Sequence, residues 1–346
     1  MAEDAAAQAS ASTSARAQAL AAAAVAGDRL SLARLLTAVE NRTALAETAL
    51  RELYPLAGRA HLVGITGPPG AGKSTLVAAL IALVRAAGRP VAVVAVDPSS
   101  PITGGALLGD RVRMQAYAGD RDVFIRSMAS RGHAGGLAAT TTAAAAVLDA
   151  AGFDLVLIET VGTGQSEVEV AAAADTTVVL EAPEMGDEVQ AIKAGLLEVA
   201  DLVVVNKGDK PGALRTAAQL RAMLSPTVGR SGRGAEAGAG RPQPKRPEVM
   251  VTTAATGAGV PELLAALDRH RSVARKAVTS SARRTRAAAQ IRAILAERLA
   301  DRLRGPGLAV LHDDLIAEVA EHHLDPYTAA DRLLEAMTTT DLRWRP

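Results

Sequence analysis

The chain has 346 residues with nearly balanced charge, 38 Lys+Arg against 37 Asp+Glu, which excludes a global field that would draw in nucleic acid or anionic lipid. It has no cysteine, which excludes disulfides, thiolate metal sites and cysteine nucleophiles. Apolar residues make up 49% of the chain but aromatic residues only 2%, so alanine and leucine must build the core. The opening Met-Ala-Glu-Asp lacks the basic and apolar regions of a signal peptide, and no strongly apolar run reaches membrane-spanning length. A cytoplasmic protein is expected.

Residues 1–16 are rich in Ala, Ser and Thr without periodicity, and a disordered tail is expected there. Residues 17–57 read as a helical extension. Leu30, Leu32, Leu35, Leu36 and Val39 form one apolar face, Leu45, Ala49, Leu50 and Leu53 another, and Pro55 stops the second helix. Residues 58–270 then alternate short apolar strands with helices. The strands are expected at Leu62–Thr66, Val91–Val96, Val123–Arg126, Leu155–Ile158, Thr177–Leu180, Leu202–Val205 and Val249–Thr252. Helices are expected at Thr140–Ala150, Glu188–Glu198, Gly212–Leu224 and Val260–Asp268.

This alternation predicts an α/β fold of P-loop NTPase type, a mostly parallel, doubly wound sheet whose ligands sit beyond the carboxyl ends of the strands. Residues 228–247, rich in Gly, Pro and Arg, read as a flexible surface insertion. Residues 271–346 read as helical, first with Ile291, Ile294, Leu295, Leu299 and Leu303 as apolar positions, then as a pair over Leu311–His323 and Pro326–Met337. Such helices cap a domain or offer a dimer or partner face.

The chemistry centres on Gly67-Pro68-Pro69-Gly70-Ala71-Gly72-Lys73-Ser74-Thr75. This is a GxxxxGK[ST] loop with a strand before it and a helix after it, which predicts a nucleoside-triphosphate cradle. Gly67, Gly70 and Gly72 let the backbone turn its N–H groups towards phosphate oxygens. Lys73 is suited to the β/γ-phosphates and the Ser74 hydroxyl to Mg²⁺.

Acids follow two of the expected strands. Asp97, in Val96-Asp97-Pro98-Ser99-Ser100-Pro101, is a candidate Mg²⁺ ligand or an Asx turn, and Asp110 is a second candidate for the metal shell. Glu159 ends Leu155-Val156-Leu157-Ile158-Glu159 in the manner of a Walker B acid; Gly162 then stands where its N–H would meet the γ-phosphate, and Gln165 is a candidate for orienting water. After the sixth strand, Asn206-Lys207-Gly208-Asp209 has the form NKxD. A carboxylate at Asp209 can accept both N1–H and N2–H₂ of guanine, a donor pair adenine lacks, so GTP is expected. Asn206 and the Lys207 stem would support the base, and the backbone of Thr253, Ala254 and Ala255 would meet guanine O6.

Taken together, the segments 67–75, 96–114, 159–167, 186–201 and 206–209 resemble the MeaB/ArgK family of GTPases, which includes the methylmalonic aciduria type A protein. The resemblance implies a GTPase chaperone that gates cofactor loading of an adenosylcobalamin-dependent acyl-CoA mutase and protects it. It also implies a homodimer built by the C-terminal helices, and a mobile switch to which Asp187, Gln190 and Lys193 correspond. The family usually has Pro-Gly before this switch, where the present chain has Glu184-Met185. No residue reads as an internal arginine finger, so slow intrinsic turnover is expected. A kinase of the ArgK type and a metallochaperone GTPase are the alternatives; the absence of cysteine and the six scattered histidines speak against the latter.

Overall fold

A computed structural model describes residues 2–97, 117, 119–129, 136–160, 173–183, 197, 199–224, 247–276, 280–305 and 307–339. Three helices come first: α1 (Ala2–Val25), α2 (Arg29–Glu40) and α3 (Ala44–Leu53). The strands are β1 (His61–Thr66), β2 (Val91–Asp97), β3 (Val123–Ala129), β4 (Leu155–Thr160), β5 (Thr176–Glu181), β6 (Leu202–Val205) and β7 (Glu248–Val251). Interleaved with them are α4 (Lys73–Ala86), α5 (Gly136–Ala150) and α6 (Ala213–Leu224), with α7 (Val260–Lys276) after β7. The chain continues through α8 (Ser280–Leu303), α9 (Ala309–Ala320) and α10 (Pro326–Thr339).

All seven strands form one sheet in the order β3-β2-β4-β1-β5-β6-β7, and every pairing is parallel. Strands β4 and β5 are buried at every position, so their Val, Leu and Ile runs read as continuous rather than alternating. One face, with Val63, Ile65, Leu157, Val178 and Leu180, packs on α4 and α7. The other carries Ala92, Val94, Val156 and Ile158, and closes a single core with α5 and the three N-terminal helices. The chain's two phenylalanines, Phe124 and Phe153, meet there at a ring separation of 6.2 Å.

Two expectations from sequence are corrected. Residues 1–16 were expected to be disordered, but the helix begins at Ala2. Alanine is the strongest helix former, and Ala17, Ala21 and Ala24 of the same helix are buried. The C-terminal region was expected from residue 271. Helix α7 instead runs through to Lys276 within a compact unit that ends at Arg286, and a second unit covers Ala287–Pro346. Arg271 holds α7 to the sheet by bonding Asp154 at 2.7 Å and the Arg59 carbonyl at 2.7 Å. In the second unit α9 and α10 pack together. No helix among the described residues is long and apolar enough to cross a membrane.

Candidate nucleotide-binding site

The phosphate-loop segment leaves the carboxyl end of β1, in the middle of the sheet, and enters α4. Gly67, Gly70 and Gly72 have φ of +138°, +77° and +96°, conformations that side chains resist. Space is short as well. A Cβ at Gly67 would collide with the Leu180 carbonyl, and one at Gly72 with the Asn206 amide nitrogen. Gly72 is the N-cap of α4 and makes no side-chain hydrogen bond to its first turn, whose positive end suits an anion. Pro68 is half-buried and Pro69 and Gly70 are exposed at the tip, whereas Ala71 and Lys73 are buried. The Lys73 ammonium donates to the carbonyls of Gly67 at 2.7 Å and Pro68 at 3.1 Å, spanning the loop. Thr75 is half-buried in the first turn of α4.

Beneath the loop, the Ser74 hydroxyl donates to Glu159 Oε1 at 2.6 Å, with both residues buried. The sheet fixes Glu159 from both sides, since its register partners are Ile65 on β1 and Ala95 on β2. Asp97 ends β2 two residues beyond Ala95 and pairs in register with Ala129. The side chain of Asp97 lies outside the described residues, as do Asp110, Gly162, Gln165, Asp187, Gln190, Lys193 and the segment 228–246.

The loops after β6 and β7 join the cradle through one amide. Asn206 Nδ2 donates to the Ala71 carbonyl at 2.9 Å, and its Oδ1 accepts from Ala254 N at 3.0 Å and the Thr252 hydroxyl at 3.2 Å. Gly208 N donates to the Thr252 carbonyl at 2.9 Å, and Thr253 N to Ala258 O at 2.8 Å. Lys207 takes a φ of +57°; Lys207, Asp209 and Ala255 are exposed, Thr253 half-buried and Ala254 buried. The structure therefore gathers 67–75, Glu159, 206–209 and 252–259 at one end of the sheet. Sequence reasoning missed Glu181, a buried acid ending β5 whose carbonyl accepts the Asn206 N–H at 2.8 Å. Its signal was the same as that of Glu159, an acid closing an apolar strand.

The profile of the family described as methylmalonyl-CoA mutase-associated GTPase MeaB matches residues 32–307. A Pyrococcus abyssi relative is 45% identical over 310 residues, covering 89% of this chain and 93% of its own. The GTPase ArgK of Escherichia coli is 46% identical over 187 residues, covering 53% of this chain and 56% of ArgK. The methylmalonic aciduria type A homolog of Mus musculus is 41% identical over 199 residues, covering 54% and 48%. A solved structure, that of a LAO/AO transport system kinase, superposes with a TM-score of 0.65 at 26% identity, covering 94% of this chain and 98% of the other. The fold is that of a P-loop GTPase, which binds guanine nucleotide and hydrolyses GTP. With a family match across most of its length, the chain belongs to the MeaB family of methylmalonyl-CoA mutase-associated GTPases.

Proposed function

We propose that this GTPase is a chaperone of an adenosylcobalamin-dependent acyl-CoA mutase of the methylmalonyl-CoA mutase type, gating cofactor loading and protecting the mutase. The observation that carries the reading is the family match over residues 32–307. The methylmalonic aciduria type A likeness supports it.

Within the site, the backbone N–H groups of the non-proline residues of Gly67–Thr75 hold the phosphates and Lys73 neutralises charge developing on them. Asp209 reads the guanine edge, with Asn206, Lys207 and the 253–255 backbone shaping the pocket. The hydroxyl–carboxylate pair Ser74–Glu159 is an all-oxygen donor set, the chemistry that suits Mg²⁺. Ser74 would hold the ion, with Asp97, Asp110 and Glu159 around it, and the ion would supply charge neutralisation at the phosphates. Gly162 and Gln165 read the γ-phosphate end, and Asp187, Gln190 and Lys193 report to the partner. The protein works in the cytoplasm as a homodimer, and the exposed Ile291, Leu295 and Leu299 of α8 support a self-association face.

Intrinsic turnover is slow, in keeping with a sequence in which no residue reads as an internal arginine finger, and the mutase speeds it by ordering the switch segments. Phosphate release measured with and without an acyl-CoA mutase tests this. A faster rate with mutase is expected, and equal rates would sink the coupling. Labelled γ-phosphate recovered on protein rather than in solution would favour the kinase alternative.

A further inference from the structure

Helix α2 is fastened along β3, the edge strand of the sheet, at both ends. At the amino end, the Arg29 guanidinium donates to the carbonyls of Asp120, Arg121 and Val123 at 3.0, 2.9 and 2.8 Å, and lies 5.3 Å from the centre of the Phe124 ring. At the carboxyl end, Glu40, the last residue of α2, uses both carboxylate oxygens. One pairs with Arg126, and the other accepts the backbone N–H of Ala129 at 3.2 Å. The side chains of Arg126 and Glu40 are only 19% and 13% exposed, so solvent screens the pair little.

Ala129 ends β3, and its register partner is Asp97, the end of β2. Among the described residues, strand β3 has β2 as its single neighbour in the sheet. An edge strand held on one side only is free to fray at its end, and fraying would release the final pairing of β2. Glu40 prevents this by occupying the outward N–H of Ala129. The Arg126 pair in turn holds the carboxylate in place.

We infer that Glu40 is a positioning residue of the GTPase site: from the N-terminal helices it fixes Ala129 and, through strand register, the Asp97 end of β2. The inference rests on the reading of Asp97 as a metal-shell acid. It makes α2 part of the machinery that sets Mg²⁺ use from outside the phosphate loop and the NKxD segment.

The test is the Mg²⁺ concentration giving half-maximal GTP hydrolysis by the full chain, together with GDP affinity in EDTA and the melting temperature. Glu40→Ala is expected to raise the Mg²⁺ half-saturation about tenfold, the usual scale for losing an outer support of a metal ligand. GDP affinity in EDTA stays at the wild-type value. Glu40→Gln, isosteric and still able to accept from Ala129, shows a smaller shift and serves as the folded variant if Glu40→Ala does not fold. A lowered melting temperature with unchanged Mg²⁺ dependence in the folded variant would reduce Glu40 to a structural ion pair and overturn the inference. Asp97→Asn separates the two readings. If it leaves Mg²⁺ dependence unchanged, the metal assignment fails. If it shifts the dependence and neither Glu40 variant does, the positioning role fails.

Discussion

Ser74 and Glu159 come from elements 85 residues apart and meet through a 2.6 Å hydrogen bond under the first turn of α4. Neither the loop nor the strand alone defines this contact. Their proximity follows from β1 and β4 being neighbours, which brings the residue after the phosphate-loop lysine over the acid one residue before the end of β4. Ser74→Ala is expected to reduce Mg²⁺-dependent hydrolysis by about tenfold to a hundredfold. GDP binding in EDTA should change far less, because the loop amides remain. Parallel loss of both quantities in nucleotide titrations would instead mark Ser74 as a support of the loop itself.

Asn206 joins three segments that sequence separates widely: the phosphate loop, its own strand end and the loop after β7. Asn206→Ala leaves the Ala71 carbonyl and the Ala254 N–H buried without these bonds. A loss of about 3 kcal/mol in unfolding free energy is expected. Affinities for GTP and GDP should fall by the same factor, since the amide does not face the γ-phosphate end. Denaturant titration and nucleotide binding check both statements, and a selective loss of GTP would contradict the second.

Acid sensitivity follows from His61 at the other end of β1. Its Nε2 lies 2.7 Å from the Thr176 hydroxyl, which lies 2.7 Å from His270 Nδ1. Burial pushes the His61 pKa down to about 3, aided by the positive field of Arg271, His270 and Arg89 and opposed by Asp154. The folded state keeps this imidazole neutral, while the unfolded chain protonates it near the ordinary value of 6.5. Stability from His61 is therefore present above pH 6.5 and is lost as pH falls towards 3. At pH 5 the loss amounts to about 2 kcal/mol relative to pH 7. Urea midpoints at the two pH values measure it. His61→Asn should flatten the difference, and an unchanged slope would place the acid sensitivity elsewhere.

Much of the architecture was legible because its signals are local. Val91–Val96 and Leu155–Ile158 are runs that only a strand buried on both faces tolerates, and each lies inside an observed strand. The glycine spacing from Gly67 to Gly72 likewise matches three positive φ angles in the folded loop. What sequence could not carry was long-range pairing. The order β3-β2-β4-β1-β5-β6-β7 depends on which apolar runs meet, and the runs are chemically alike. Asn206 was read as a support for the base, and its bonds to Ala71 and Ala254 depend on loops brought in from elsewhere. Glu40 had no signal beyond an acid at the end of a helix. The early residues of α1 join the helix because alanine's own helical preference outweighs the serine and threonine among them.

The shared core of α1, α2 and α3 with Val156 and Ile158 carries a practical meaning. A chain trimmed to begin at β1 would keep every phosphate-loop and NKxD residue, and α5 as well, yet expose the apolar surface that α1, α2 and α3 cover in this core. Such a fragment would seek another apolar surface, in a neighbouring molecule if none were supplied in cis. The smallest piece that folds as a monomer is therefore set by where this shared core becomes covered, well upstream of the first residue that meets GTP.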